Sequence, residues 1–298
     1  AAPAVRKLAR EMGVDLATIA GSGPGGRVLR ADVENATAGG GASGGGTAAL
    51  VPPRPASLPG KAEMDKWGPT RRVGLSQIRK TIAKQMARSI YTIPHVTHTD
   101  DADITELERL RRGYAPRPGE PERKLTLMPF VIRAVASALR AHPELNASFD
   151  ADASEMVYKD YVSVGVAVDT QRGLVVPVLR DADRLGILEL SDALAGLADK
   201  ARQAQFAVEE LRGGTFTITH VGALGGRYST PIINFPEVAI LGLGRSRKEP
   251  RVVDDQIVPR VVLPLCLSFD HRATDGAEAA RFTRTIVEQL ENPARLMF

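Results

Sequence analysis

The segment SFDHRATDG, residues 268–276, places one histidine, His271, between two acids, Asp270 and Asp275. A histidine can serve as general base, metal ligand or satisfied core group. An unperturbed imidazole titrates near 6.5, so it accepts a proton at neutral pH with little tuning. His271 follows the apolar run RVVLPLCLSFD and precedes a helix expected to begin near Thr274 or Asp275. Strand ends beside helix N-termini are where open α/β sheets present reactive groups. A second chemical group lies upstream in TFTIT, where Thr217 and Thr219 share one face of a strand. Threonine on a strand is ordinarily β-branched packing, so that hydroxyl becomes interesting only with a partner.

Other chemistries find little support. No G-x-S-x-G elbow occurs, which argues against a serine hydrolase. His95 and His98 could form a two-ligand metal pair, but on a strand that spacing turns them to opposite faces, so no metal is expected. Gly21, Gly23 and Gly26 satisfy G-x-G-x-x-G, but a helix precedes them and no crossover helix follows, so a dinucleotide is not expected there. The single Cys266 excludes an internal disulfide and reads as a buried thiol in an apolar run, which fits a reducing, cytoplasmic setting. A net charge of +4 without basic-aromatic interleaving does not point to nucleic acid. No apolar stretch approaches a membrane span, and no signal peptide is apparent.

The elements that must position these groups fall into three parts. Residues 1–37 form a small helical unit, with Val5, Leu8, Ala9 and Met12 at helical spacing, Gly13 as stop, a turn-rich loop and a second helix over 30–36. Residues 1–30 carry Arg6, Lys7, Arg10, Arg27 and Arg30 against Glu11 and Asp15, a basic face suited to an acidic partner. Residues 38–69 are rich in glycine, alanine and proline and read as a linker. Residues 70–298 read as one α/β domain with a mixed sheet. Helices are expected at LSQIRKTIAKQMARSI, 127–139, 188–204 and 277–291. Strands are expected at YVSVGVAVDT, GLVVPVL, TFTITHV, VAILGLG and RVVLPLCLSFD. The chain begins without methionine, as a fragment or processed product would.

With these motifs in order, the sequence resembles the dihydrolipoamide acyltransferases of 2-oxo acid dehydrogenase complexes. HRATDG is similar to that family's His-x-x-x-Asp-Gly signature at His271, Asp275 and Gly276, and GTFTITHVGALGG to its strand bearing an active-site hydroxyl. STPIINFPEVAILGLGR, DTQRGLVVPVLRDAD and RKTIAKQM match further segments, and residues 1–37 resemble its peripheral subunit-binding domain. The resemblance implies a chloramphenicol acetyltransferase-like two-layer sandwich with a mixed sheet, preceded by a small all-α subunit-binding domain. It implies His271 as catalytic base, Thr219 as the hydroxyl, and Asp275 as a structural acid whose basic partner is sought at Arg79, which is also the candidate cofactor-binding residue. Arg6, Arg10 and Arg27 match positions that grip partner enzymes. His220 replaces the usual asparagine, and Ala273-Thr274 is a more polar version of the usual apolar pair.

The implied reaction moves an acyl group between dihydrolipoamide and coenzyme A, with the lipoyl group on a domain expected upstream of residue 1. Acetyl is favoured over branched-chain acyl, and succinyl is less favoured. The resemblance also implies trimers with His271 and Thr219 from neighbouring subunits, cores of 24 or 60 subunits, and docking of a 2-oxo acid decarboxylase and dihydrolipoamide dehydrogenase on residues 1–37. The rivals are a non-catalytic assembly scaffold and an antibiotic acetylase, which has no use for a linker and a docking domain.

Overall fold

The structure is a computed structural model that describes residues 2–19, 21–38, 59–116, 118, 125–170, 173–203, 205–222 and 225–296. It divides into two compact units, Ala1–Val73 and Gly74–Phe298. The bulk of the expected linker, residues 39–58, lies outside the described residues.

In the first unit, α1 (Pro3–Glu11) begins on a proline, whose missing N–H costs nothing in a first helical turn. It ends at Gly13, where φ of 66° admits the left-handed turn that closes the helix. With α2 (Arg30–Ala38) it buries Val5, Ala9 and Val33, against which Leu8, Leu16, Ile19 and Val28 pack. Met12, which shares the spacing of that stripe, stays 40% exposed. The glycine loop is held from below by Asp32, whose carboxylate accepts from Ser22 N, Ser22 Oγ and Leu29 N. These bonds, led by that from Leu29 N–H, hold the Asp32 carboxyl below the usual carboxylate range. The loop amides thus turn to an internal acid. Residues 61–72, expected as linker and domain start, form a hairpin of β1 (Lys61–Met64) and β2 (Pro69–Arg72). Its turn is organised by Asp65, whose Oδ1 accepts from Trp67 N and Gly68 N.

The second unit opens with α3 (Gln77–Thr92), capped by Ser76 Oγ on Arg79 N–H. Then follow β3 (His95–Asp103), α4 (Thr105–Gly113), α5 (Met128–Ala141) and a hairpin of β4 (Ala147–Asp150) and β5 (Glu155–Tyr158). Next come β6 (Val164–Val166), a ribbon of β7 (Val168–Thr170) and β8 (Gly173–Val175), and β9 (Val178–Leu179). The chain ends with α6 (Ile187–Gln203), β10 (Phe216–His220), β11 (Ala239–Leu243), β12 (Arg247–Val253), β13 (Gln256–Asp270) and α7 (Gly276–Glu291). Seven strands form one sheet in the order β12-β13-β11-β10-β6-β9, with β3 also on β13. β10 runs parallel to β6 and β11, and the other pairings are antiparallel. The sheet is mixed, as the sequence implies.

One face of the sheet carries the main core. α5 presents Phe130, Val131, Ala134, Val135 and Ala138 to it, and α7 presents Ala279, Phe282, Ile286 and Leu290, all buried at the expected spacing. The other face has a smaller cluster of Ile93, Ile233 and Ile240 with Phe235. Over that face α3 buries only Ser89, with Ile82, Gln85 and Met86 half-buried beside it. The expected valine alternation stops short: Val162, Val164 and Val166 are buried, whereas Val168 leaves the main sheet for the β7–β8 ribbon. GLVVPVL likewise splits into β8 and β9 around Pro177, which has no N–H for a ladder.

Candidate active site

His271 is the first residue beyond β13. Its backbone N–H donates to Pro94 O at 3.2 Å, and the chain turns through Ala273 N and Thr274 N, both bonded to Asp270 O. The Thr274 hydroxyl donates to Glu144 Oε2 at 3.2 Å, which pins the turn to the segment before β4. The imidazole is exposed and lies 5.7 Å from the Phe269 ring, tilted by 35°. A strand end, a tight turn and a helix start together hold it outside the sheet.

Neither neighbouring acid is bonded to the His271 ring. Asp275 is the N-cap of α7, accepting from Glu278 N–H at 2.9 Å. That bond, with Arg281 and His271 nearby, holds its carboxyl below the usual range. Arg79 is not brought to it. Its guanidinium Nη2 lies 3.8 Å from where a Cβ on Gly173 would sit, on an exposed first turn of α3. Asp270, which the sequence left without a role, is buried and paired with Arg272. That pairing is a contribution the sequence reading missed.

Thr219 is on β10, half-buried, directly opposite Gly242 of β11, which is in turn opposite Cys266 of β13. Two strand spacings and five residues of rise separate Thr219 from His271, a Cα distance on the order of 15–20 Å. Because β13 runs antiparallel to β11, His271 leaves the end of the sheet opposite to that at which β10 presents Thr219. One chain therefore does not bring the two together. His220, next along β10, is exposed, and its Nε2 lies 2.7 Å from where a Cβ on Gly222 would stand. Glycine there leaves room for the imidazole.

Beneath Thr219 lies a group that no local pattern announced. Thr217 Oγ donates to Glu237 Oε2 at 2.6 Å, and Asn234 Nδ2 donates to Glu237 Oε1 at 3.0 Å. Glu237 is buried, and burial pushes its carboxyl up to about 8. The one available signal was an acid inside the apolar run PEVAILG.

The metal reading of His95 and His98 has a structural alternative. His95 Nε2 accepts from Ile233 N–H at 3.0 Å, so Nδ1 carries the proton and donates to Ile93 O at 2.8 Å. Both ring nitrogens are committed to backbone, Nε2 to the loop at Ile233 and Nδ1 to Ile93 at the end of α3. Among the described residues no group of three or more His, Cys, Asp or Glu could hold a metal ion, and no helix is long and apolar enough to cross a membrane. Cys266 is a buried free thiol. In the first unit Arg6, Arg10 and Arg27 are exposed, and Arg6 and Arg10 line a shallow basic cleft with Pro3 and Lys7.

A mixed sheet whose main core lies under α5 and α7, with an exposed histidine at one strand end and a hydroxyl on another strand, holds groups that acyl transfer can use, and comparison with known proteins gives it a family. Residues 68–298 match the 2-oxoacid dehydrogenase acyltransferase catalytic domain, and residues 1–34 match an E3-binding domain. The chain belongs to the 2-oxoacid dehydrogenase acyltransferase family. It is 42% identical, over its whole length and 67% of the relative's, to the dihydrolipoyllysine-residue acetyltransferase component of the pyruvate dehydrogenase complex of Bacillus subtilis. The corresponding Staphylococcus aureus component is 41% identical over the whole chain and 70% of the relative.

Two solved structures superpose with TM-scores of 0.75, each covering 81% of this chain and 100% of theirs. One is an Azotobacter vinelandii dihydrolipoamide acetyltransferase, 37% identical, studied for the role of a serine, a histidine and an asparagine in its catalytic mechanism. The other, 38% identical, is the cubic core of a pyruvate dehydrogenase multienzyme complex.

Proposed function

We propose that this enzyme transfers an acetyl group between dihydrolipoamide and coenzyme A, in a site completed only when chains assemble. The observation that carries the reading is the separation of Thr219 from His271 within one chain. Among the described residues no hydroxyl is bonded to the exposed His271 ring, and within one chain Thr219 stands at the far end of the sheet from that base. A neighbouring copy supplies what each lacks.

His271 takes the proton from the attacking thiol, whose ordinary value near 8.5 leaves little thiolate at pH 7. The thiolate adds to the thioester carbonyl, and the Thr219 hydroxyl donates to the oxyanion that forms. Collapse expels the other sulfur as thiolate, which recovers the proton from His271. No acyl-enzyme is required, in keeping with Cys266 being buried away from solvent. Asp275 serves as a fastening for α7. That a histidine and a serine were examined in the Azotobacter enzyme's mechanism is consistent with a base and a hydroxyl here.

Around this reaction we place trimers built into a larger core, of the kind named for the cubic relative. The basic face of the first unit, with Arg6, Arg10 and Arg27, receives the complex's dehydrogenase or decarboxylase. The lipoyl group arrives on a separate lipoyl domain. A reducing compartment such as the cytoplasm suits a free thiol.

The test is transfer from acetyl-CoA to dihydrolipoamide by the assembled protein, compared with isobutyryl-CoA and succinyl-CoA. Turnover with acetyl preferred, lost by at least about a hundredfold in His271→Ala, is the expected result. A wild-type core without transfer, or an active His271→Ala, sinks the reading.

A further inference from the structure

α5 ends at His142, and the segment that follows it, 142–146, grips the helix that starts just beyond the His271 turn. His142 is the C-cap of α5, its backbone N–H donating to Ala138 O. Its ring lies between two residues of α7, with Nδ1 2.6 Å from Glu278 Oε1 and Nε2 3.0 Å from Thr285 Oγ. The Phe282 ring stands perpendicular to it at 5.8 Å. The His142 side chain is 13% exposed and that of Glu278 20%, so water competes little for the contact between them.

The partners dictate where the protons must be. The Thr285 hydroxyl has one hydrogen and gives it to Arg281 O, 3.0 Å away in the preceding turn. Thr285 Oγ is left to accept, and His142 Nε2 must supply the hydrogen. Glu278 is a carboxylate: the bond from His142 leads the interactions that hold its carboxyl below the usual glutamate range, and Arg281 donates to its other oxygen. A carboxylate only accepts, so Nδ1 must supply a hydrogen too. Both contacts are therefore kept only by a ring protonated on both nitrogens. A neutral ring turns a lone pair against either Glu278 or Thr285 and gives up that contact. The C-terminal end of α5, with its outward carbonyls, favours a cation at this place. Of the other charged groups beside the ring, Glu144 is bonded to Thr274, and Arg140 is turned to Asp183.

The same segment holds the neighbourhood of His271 at a second point. Glu144 Oε2 accepts from the Thr274 hydroxyl, in the turn between His271 and α7. On its other side the segment is anchored by Asn146, whose Nδ2 donates to Lys159 O and Tyr161 O and whose carbonyl accepts from Lys159 N–H. Glu278 completes the link, since its backbone N–H is the donor that Asp275 caps. The path from His142 to His271 thus runs through Glu278 and Asp275 and back along the turn.

We infer that His142, as an imidazolium, is a positioning residue for the base: its two-ended grip on Glu278 and Thr285 fixes the start of α7, and with it the direction in which His271 leaves the sheet. The inference rests on the acetyltransfer reading and adds to it a charged group that touches neither substrate. A charge-assisted bond of this kind is stronger than a neutral one. It also depends on a proton, so the grip loosens as rising pH removes it.

The test measures kcat and KM for transfer from acetyl-CoA to dihydrolipoamide by the assembled full chain, from about pH 6 to about pH 9, a range in which imidazoles titrate. His142→Phe keeps a ring against Phe282 and removes both donors. At the acid end its kcat should lie about tenfold below wild type, within the range for a base displaced by a fraction of about 1 Å, with each KM changed less than about twofold. The ratio of the two kcat values at each pH cancels the titration of His271, which both proteins share. That gap should narrow to about twofold at the alkaline end, because the wild type there loses its own grip. Glu278→Gln, which keeps the shape and removes the anion, should show the same narrowing from a smaller gap; should one variant not assemble, the other decides. A gap constant with pH overturns the inference, since that is what a neutral packing histidine gives. An unchanged kcat at the acid end, or a loss carried by KM, overturns it as well. Failure of both variants to assemble would make the contact one of folding alone, and would overturn it too. A wild type that transfers no acetyl to dihydrolipoamide fails the acetyltransfer reading itself, which is a different result.

Discussion

Asp270 and Arg272 close a two-pronged ion pair across the residue between them, His271. Arg272 Nε donates to Asp270 Oδ1 at 3.0 Å and Nη2 to Oδ2 at 2.7 Å, while the Arg272 backbone N–H also reaches Oδ1 at 3.0 Å. Asp270 is buried and its partner is 28% exposed, with the guanidinium 4.5 Å from the centre of the Phe149 ring. The pair fixes the backbone on both sides of His271. The imidazole can then leave the sheet in only a narrow range of directions.

Arg272→Met should therefore damage both stability and rate. It strands a buried carboxylate, for which a loss of about 2–3 kcal/mol is expected. It also frees the backbone next to His271, and misplacement of a base by about 1 Å can cost up to a hundredfold in kcat. Asp270→Asn keeps one accepting oxygen for Arg272, loses the second prong because its NH2 cannot accept, and strands no buried anion, so it should suffer less in both. Thermal midpoints and kcat of the two variants decide the matter. Unchanged values in Arg272→Met would leave the pair without a role.

Asp275 should behave quite differently from a triad acid. Its carboxylate is committed to Glu278 N–H at the start of α7. Asp275→Ala should lower the thermal midpoint modestly and retain most of kcat. Removing the orienting aspartate of a true triad lowers kcat by about 10⁴. A loss of that size in Asp275→Ala would restore Asp275 to the chemistry.

The helices facing the main core were legible because their apolar stripes repeat at helical spacing: every residue expected on α5 and α7 to face inward does so. α3 was legible as a helix but not in its consequences, since its stripe of Ile82, Gln85 and Met86 remains only half-buried in a single chain. The valine run 162–168 misleads because alternation reports burial, not which strand is the neighbour. Thr219 owes its place in the site to resemblance alone, for nothing in TFTIT separates it from Thr217. The Thr217–Asn234–Glu237 cluster was out of reach for a different reason. Its members meet through the parallel register of β10 on β11 and a loop tied to α3, and long-range register leaves no local trace.

Glu237 carries a pH prediction. Its folded value of about 8 lies above the ordinary glutamate value, because burial disfavours the charge. A folded state that binds the proton more tightly loses stability as pH rises from the unfolded value toward the folded one. The wild type should thus be destabilised between about pH 5 and pH 8 by this group, by up to a few kcal/mol. Glu237→Gln, neutral throughout, should lack that slope. Urea midpoints of the two proteins should diverge as pH rises, the variant becoming relatively more stable at pH 8 than at pH 5. Parallel curves would mean that Glu237 is charged in the folded protein across that range.

The separation of His271 from Thr219 gives the sharpest test of all, because it turns geometry into complementation. His271→Ala alone should lose about 10²–10⁴ in kcat, and Thr219→Ala about 10²–10³ with KM little changed. If each site takes its base from one subunit and its hydroxyl from the next, a ring built from both variants contains some intact sites. A site is intact when the base comes from a Thr219→Ala chain and the hydroxyl from a His271→Ala chain. In cyclic trimers reassembled at random from equal amounts, that holds for about one site in four. Co-refolding or co-expression of the two inactive variants should then recover about a quarter of wild-type turnover, whereas mixing them after assembly recovers none. If both groups worked within one chain, no mixing protocol could restore activity, and recovery would stay at the background of the single variants.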